Sequence, residues 1–428
     1  MSSSRLVLFA RYILTFERPR PIEHGFVLIE GSRILQVGER RHYHGPREIR
    51  MLDLGNIVLL PGLINAHCHL DYSGLKGRVS PRGGFAPWVL AMGAWSRSLT
   101  TADYMRAILE GARESLAWGT TTVCDVSTSY ESLGLLATTG LRARVYFELL
   151  DLVHRSPADY WKQVQERINL VFRTHPPAER IRWGLAPHSP YSVSRELLDR
   201  LARHMDKHVS VPVTMHLAES RDEARAFRAG KGPLMERLRG LRPSFDLPHP
   251  TTPVQYLNQV GWLPKLDLAV HCNTVTDKDA RLLAKNRVAV VHCPGSHAFF
   301  KHPPFPYARL RRAGVTVCLG TDSLASNRSL SMFREMQVFH RAHPNVPARE
   351  ILEMATVKAA QAIGDGKRLG AVSPGFLADL IGVEGTAKAP RSFEVLYEHV
   401  LRNRKPVSFT MIQGEPQLRL SRSKNPCF

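Results

Sequence analysis

The chain has no CxxC pair. Its six cysteines, Cys68, Cys124, Cys272, Cys293, Cys318 and Cys427, are scattered over 428 residues, which excludes a thiolate zinc site and a disulfide framework and fits a reducing, cytoplasmic setting. Five of them lie in apolar, strand-like runs, where a free cysteine packs as a small hydrophobe. No window approaches about 18 uninterrupted apolar residues, so no membrane span is expected. Arg11 interrupts the apolar stretch at the N-terminus and no small-residue cleavage site follows, so no signal peptide is expected either. Neither GxGxxG nor GxxxxGK(S/T) occurs, which leaves a doubly wound nucleotide-binding sheet without its phosphate turn. Long Lys/Arg tracts, helix-turn-helix, RNP and zinc-finger spacings are absent as well. The net charge of +20 is carried by residues spread through the chain, as in Arg221, Arg225 and Arg228 or Arg309, Arg311 and Arg312. These read as solvated faces, and no nucleic-acid partner is expected.

What is present is a soluble globular composition, 43% hydrophobic and 22% charged, in a chain long enough for one barrel with an appendage. Residues 6–10 and 25–38 read as short antiparallel strands punctuated by Gly, Ser and Pro. After Pro61-Gly62 the rhythm becomes strand, loop, helix. Apolar strands are predicted at 59–69, 120–127, 143–150, 181–187, 211–217, 267–272, 287–293 and 314–321, with helical patterns at 101–118, 157–172, 194–207, 277–285 and 305–313. Thr101 and Ser194 are the expected helix caps.

Eight such strands are the count of a closed parallel (β/α)8 barrel, here over 61–370. Strand character returns at 372–383 and 406–412, so 1–60 and 371–428 are expected to pair as a small discontinuous β-sandwich domain.

The apolar strand at 59–69 ends in His67-Cys68-His69, which places two imidazoles on one side of a strand, within reach of a single ion. Alone, His-x-His carries little weight. His216, His271 and Asp322 close the predicted fifth, sixth and eighth strands, however, and parallel barrel strands all end on one face. Each taken singly reads as a hydrogen-bonded core histidine or a turn-forming aspartate. Five strand-end groups in register point to a shared metal site.

The chain resembles the amidohydrolase superfamily, in its deaminase and chlorohydrolase branch. The resemblance is carried by Pro61-Gly62-Leu63-Ile64-Asn65-Ala66-His67-Cys68-His69, Ala186-Pro187-His188, His216-Leu217-Ala218-Glu219, His292-Cys293-Pro294, Gly320-Thr321-Asp322-Ser323 and Pro374-Gly375-Phe376-Leu377-Ala378-Asp379-Leu380. In place of the Ser-Asn pair that usually follows His-Cys-Pro in this branch, the chain reads Gly295-Ser296-His297. Asp71-Tyr72-Ser73, the Phe85/Trp88 pair and the 322–327 run look closest to aminodeoxyfutalosine deaminases, and next to methylthioadenosine/adenosylhomocysteine deaminases.

The resemblance implies a metal held by His67, His69, His216 and Asp322. One ion is expected, because the fourth strand offers no lysine to bridge a second. Three neutral imidazoles and a carboxylate suit Zn2+, with Fe2+ as the alternative, and a water on that ion would ionise near pH ~7. Its hydroxide would attack the amino-bearing ring carbon of a 6-aminopurine-like nucleoside and release ammonia. Glu219 would carry a proton to the ring nitrogen and then to the amine; as a structural residue it would be a helix-start carboxylate. His271 would take the water's proton with Asp322, or act as a further ligand. His188, Trp88 and Glu148 are the expected substrate contacts, against packing roles for the first two and a surface carboxylate for the third.

The cytidine type of zinc deaminase is excluded, since His-x-Glu with Pro-Cys-x-x-Cys is missing. Two other functions compete. One is different amidohydrolase chemistry: guanine or cytosine deamination, chloride release or cyclic amide opening. The other is non-catalytic polyanion binding on the same fold. A small-molecule substrate and a homodimer are the expected partners.

Overall fold

A computed structural model describes residues 5–45, 49–129, 131–152, 156–174, 179–207, 211–242 and 245–419. Cys427 lies outside the described residues; the other five cysteines are free and buried. Residues 1–65, 113–122 and 331–428 form one compact unit, and residues 66–112 and 123–330 another.

The first unit opens with β1 (Arg5–Ile13), β2 (Ile22–Glu30), β3 (Arg33–Glu39), β4 (Arg50–Asp53) and β5 (Ile57–Pro61). β1 and β2 pair antiparallel, with Leu6 opposite Ile29 and Phe9 opposite Phe26. Gly31, at φ 56°, makes the tight turn into β3, a backbone conformation that costs glycine little.

The run predicted as one strand over 59–69 is two. Pro61 has no amide to continue a ladder, and Gly62 instead donates to the carbonyl of Asp379 at 2.9 Å. The chain then resumes as β6 (Leu63–His69), which passes into the second unit at residue 66.

β7 (Thr120–Ser127), β8 (Arg142–Leu149), β9 (Ile181–Pro187), β10 (Thr214–Leu217), β11 (Leu268–His271), β12 (Ala289–His292), β13 (Val317–Leu319) and β14 (Asp322–Ser323) follow. They form two parallel runs, β14-β6-β7-β8-β9 and β10-β11-β12-β13. The runs join on both sides. Leu185 bridges Val213 between β9 and β10; on the other side Gly320 N donates to His292 O and Thr321 N to His67 O, both at 2.9 Å. The result is a closed (β/α)8 barrel whose eighth strand is interrupted between Leu319 and Asp322. Gly320 sits at that seam because a Cβ there would lie 2.7 Å from the His67 carbonyl oxygen.

The barrel strands are almost uniformly buried, as parallel strands covered by helices should be. Helices fall at Thr101–Ala117, Pro157–Thr174, Arg195–Lys207, Asp277–Lys285 and Tyr307–Arg312. Ser194 caps its helix, accepting from Leu197 N at 3.1 Å. At the earlier helix the cap is Thr100 rather than Thr101. Thr100 Oγ1 accepts from Asp103 N at 3.2 Å while the Asp103 carboxylate accepts from Thr100 N at 3.0 Å, so the reciprocal pair selects the first threonine.

The chain returns to the first unit with β15 (Leu380–Glu384), β16 (Phe409–Ile412) and β17 (Glu415–Arg419). β15 pairs antiparallel with β5, Leu380 opposite Pro61, and the full order β17-β16-β15-β5-β1-β2-β3, with β4 on β1, makes one eight-stranded sheet from both chain ends. Its core includes Leu8, Ile13, Ile29, Leu59, Leu380 and Met411.

Candidate active site

His67 and His69 leave β6 on the same side. Their rings lie 4.9 Å apart, and each Nε2 faces Oδ1 of Asp322, at 3.8 and 3.9 Å. His216 ends β10 with its ring 4.9 Å from that of His67 and its Nε2 3.3 Å from Nε2 of His69. Two nitrogens on a tetrahedral zinc, each about 2.0–2.1 Å from it, lie about 3.3–3.4 Å apart, so this spacing already suits ligands of one ion. His216 Nδ1 donates to the carbonyl oxygen of His188 at 3.0 Å, which turns the Nε2 lone pair toward the cluster.

The protonation states agree. Burial, then the neighbouring His67, pushes His69 down to about 3. His271 falls to about 3, mainly through burial, and His216 falls well below its usual value, through burial and then His188. For Asp322 burial acts upward, but the hydrogen bond to His67 and the nearby histidines outweigh it and hold the carboxyl well below the ordinary range. Neutral imidazoles and an ionised carboxylate are the donor forms a divalent ion requires. His67, His69 and Asp322 bring their ligand atoms within 4.8 Å of one another, as do His67, His216 and His271.

Glu219 stands one turn beyond β10, its Oε1 3.6 Å from His271 Nε2. Burial, then Asp322 and Glu223, raises its carboxyl well above the usual range, the direction a proton donor needs. The turn beneath it is braced. Buried Glu223 accepts from Ala218 N at 3.1 Å and Glu219 N at 2.7 Å, and Asn273 Nδ2 donates to Glu219 O at 2.9 Å. Ala218, His271 and Asp322 all have left-handed backbones, with φ of 51°, 73° and 60°. Such conformations cost a non-glycine residue about 1–3 kcal/mol each and gather where a side chain must be aimed.

A cavity of about 230 Å³ opens over this cluster, lined by His69, His216, Glu219, His271 and Asp322 on one side and by Tyr72, Phe85, Trp88 and Met92 on another. His188 and Glu148 lie on its wall, and their ligand atoms fall within 4.8 Å of each other and of His216. His188 Nδ1 shares a hydrogen bond of 2.6 Å with Ser192 Oγ. Burial, then Asp71 and Asp322, raises Glu148 to about 8. Trp88 belongs to a helix, Phe85–Ser98, that is not among the helical patterns predicted from the sequence, and packs edge-on against Phe300 at 5.0 Å.

All five strand-end groups read from the sequence therefore meet, and Glu219, His188, Glu148 and Trp88 border the same cavity. Four supporting residues escaped the sequence reading. Ser296 and Ser326 donate to Oδ2 of Asp322 at 2.6 and 2.9 Å, while Glu223 and Asn273 hold the Glu219 turn. Ser296 had left a trace, in the departure after His292-Cys293-Pro294; Glu223 had left one as a carboxylate three residues past the capping Ser220.

The Amidohydrolase family matches residues 58–416. A 5-methylthioadenosine/S-adenosylhomocysteine deaminase of Desulfitobacterium hafniense (strain Y51) is 30% identical over 370 residues, 84% of this chain and 80% of the relative. Two solved structures share the fold. Helicobacter pylori aminofutalosine deaminase, in complex with methylthio-coformycin, superposes with a TM-score of 0.82 at 22% identity, covering 96% of this chain and 99% of that one. An adenosine deaminase from Xanthomonas campestris with bound zinc gives 0.79 at 24% identity, over 97% and 93%. A family match that runs from the last strand before the barrel to the closing sheet, with a relative alike over most of both chains, means that this protein belongs to the amidohydrolase family of hydrolytic enzymes.

Proposed function

We propose that the protein is a metal-dependent deaminase that hydrolyses the 6-amino group of an adenosine-type nucleoside, of the aminodeoxyfutalosine or methylthioadenosine kind, and releases ammonia. The observation that carries this reading is a buried Glu219, its carboxyl shifted toward the protonated form, with Oε1 3.6 Å from His271, on the wall of the cavity that His69, His216 and Asp322 also line. Deamination of a purine ring needs an acid beside the point of attack and a base for the water, and these two groups meet both needs.

His67, His69, His216 and Asp322 would hold the ion, zinc in preference to iron, which supplies a Lewis-acid centre that makes water nucleophilic at neutral pH. Glu219 gives its proton to the ring nitrogen next to the attacked carbon. His271 and Asp322 take the proton released by the water. The amino group then leaves as ammonia with one proton from the water, the water's second proton restores Glu219, and the ring carbon keeps the water oxygen while the ring nitrogen keeps its proton. Glu148, neutral below about 8, offers both a donor and an acceptor to a ribose hydroxyl; His188 contacts the purine, and Trp88 covers it with an aromatic face.

The name of the relative at 30% identity supports an adenosine-type substrate. A cytoplasmic location accords with the five buried free thiols, and among the described residues no helix is long and apolar enough to cross a membrane.

The test is ammonia release by metal-loaded protein from adenosine, methylthioadenosine, adenosylhomocysteine, aminodeoxyfutalosine, guanine and cytosine. Turnover confined to the 6-aminopurine nucleosides is expected. Ammonia from guanine or cytosine alone, or chloride release or ring opening without ammonia, would replace this reading with other amidohydrolase chemistry.

A further inference from the structure

Arginines that the sequence scatters meet in one groove. Helix Arg221–Ala229 presents Arg221, Arg225 and Arg228, all exposed, at the spacing of a single helical face. Residues 273–277 and 303–309 form the facing wall and bring Arg309 into a groove of about 780 Å³. Its carboxylates are already engaged. Asp222 accepts from Ala86 N at 3.3 Å, and Asp277 accepts from Arg309 Nε at 2.8 Å, with Arg312 4.0 Å away. Among the described residues Arg221, Arg225 and Arg228 carry no ion pair.

Like charges at i, i+4 destabilise a helix, and a concave wall with an excess of positive charge concentrates counter-ions. From Arg221 to Arg228 the stripe runs about 10 Å along the helix, more than one phosphate can cover. Guanidinium groups match phosphate oxygens in pairs. A concave space of this volume suits a small molecule better than an extended polymer.

We propose that this groove binds the polyphosphate group of a small molecule, either a free inorganic chain or the triphosphate of a nucleotide. The site is separate from the cavity that holds His69 and Glu219, with no lining residue in common, and it stands whatever reaction that cavity performs.

Calorimetric titration of the full-length, metal-loaded protein with inorganic tripolyphosphate tests it, beside the double variant Arg225→Ala/Arg228→Ala and a control, Arg18→Ala/Arg20→Ala, in a basic groove of the other unit. All three share the same metal site, so any chelation by the ligand is common to them. One saturable site per chain is expected, with affinity falling about 10-fold or more in the first variant, which removes two of the guanidinium groups, and unchanged in the control. Equal affinity for ATP would identify the phosphate chain alone as the recognised group; tighter ATP binding would identify a nucleotide. Either result supports the site. Absence of saturable binding, an unaltered affinity in Arg225→Ala/Arg228→Ala, an equal loss in the control, or binding of duplex DNA without binding of tripolyphosphate would overturn it. Exposed Arg→Ala changes in a helix keep helix propensity, and circular dichroism of each variant confirms that the fold is retained.

Discussion

Ser296 donates its hydroxyl to Oδ2 of Asp322 at 2.6 Å, from a short helix that follows β12 to the residue that opens β14. Ser326 donates to the same oxygen, while Oδ1 accepts from Ser323 N at 2.7 Å and faces His67 and His69. Three neutral donors thus orient a carboxylate that burial alone would protonate. In the proposed reaction, in which Asp322 would bind an ion and receive a proton, these bonds would hold the carboxylate in one orientation.

Replacing Ser296 by Ala removes one of those three donors and leaves every ligand atom in place. Metal affinity is expected to fall roughly 10–100-fold, in the range typical of supporting hydrogen bonds, and toward the lower end because Ser326 remains. Competition with a chromophoric chelator measures it; an unaltered affinity would mean that Ser326 and the Ser323 amide suffice to set the carboxylate.

His67 lies at the centre of the cluster, with the rings of His69 and His216 each 4.9 Å away and that of His271 at 5.8 Å. His67→Ala should lose both metal and turnover. Elemental analysis after gel filtration reads the first without reference to the second, and a full metal complement in the variant would remove His67 from the ligand set.

Glu219→Gln keeps the shape of the side chain and takes away its proton. Turnover should drop by about 10²-fold or more with metal content intact, the scale of a lost general acid. A rate close to that of the parent would return Glu219 to a structural role at the start of its helix.

The difference between the legible and the hidden parts of this site is physical. Strand-end groups could be read because β-strand alternation and barrel closure fix where a side chain at the end of an apolar run must point; His216, His271 and Asp322 needed only a correct strand count. The helix Phe85–Ser98 was missed because its residues are mostly half-buried and carry no sharp polar face, so the 3.6 period is faint. Ser296 and Asn273 were hidden for another reason: each acts through a hydrogen bond to a residue far away in the chain, and such pairings leave no periodicity; Glu223 acts on the turn just before it and left only its place after the capping Ser220. The groove of Arg221, Arg225, Arg228 and Arg309 is the same case, since two runs that look solvated singly face each other only after folding.

Trp88 lines the cavity beside Phe85, their rings 6.4 Å apart, and Phe300 packs against Trp88 edge-on at 5.0 Å. Trp88→Ala removes an aromatic wall that binds substrate and transition state alike, so KM should rise with kcat little changed. Steady-state kinetics on the best nucleoside separate the two constants. An unaltered KM would assign Trp88 to packing alone.

Glu223 ties the catalytic turn to pH. Burial raises its carboxyl to about 7 against the bonds from Glu219, Ala218 and Ser220 that act downward, whereas in the unfolded chain it titrates near ~4.3. Between those values the folded protein keeps a proton that the unfolded chain has released. Stability from this group is therefore complete below about pH 4, falls as pH rises through about 7, and is lost above it, by roughly 4 kcal/mol at most. Glu223→Gln imitates the protonated form at every pH. The stability of the parent minus that of the variant, from urea unfolding, should decrease from pH 5 to pH 7.5, and a difference that does not vary with pH would show that the Glu223 carboxyl is ionised throughout.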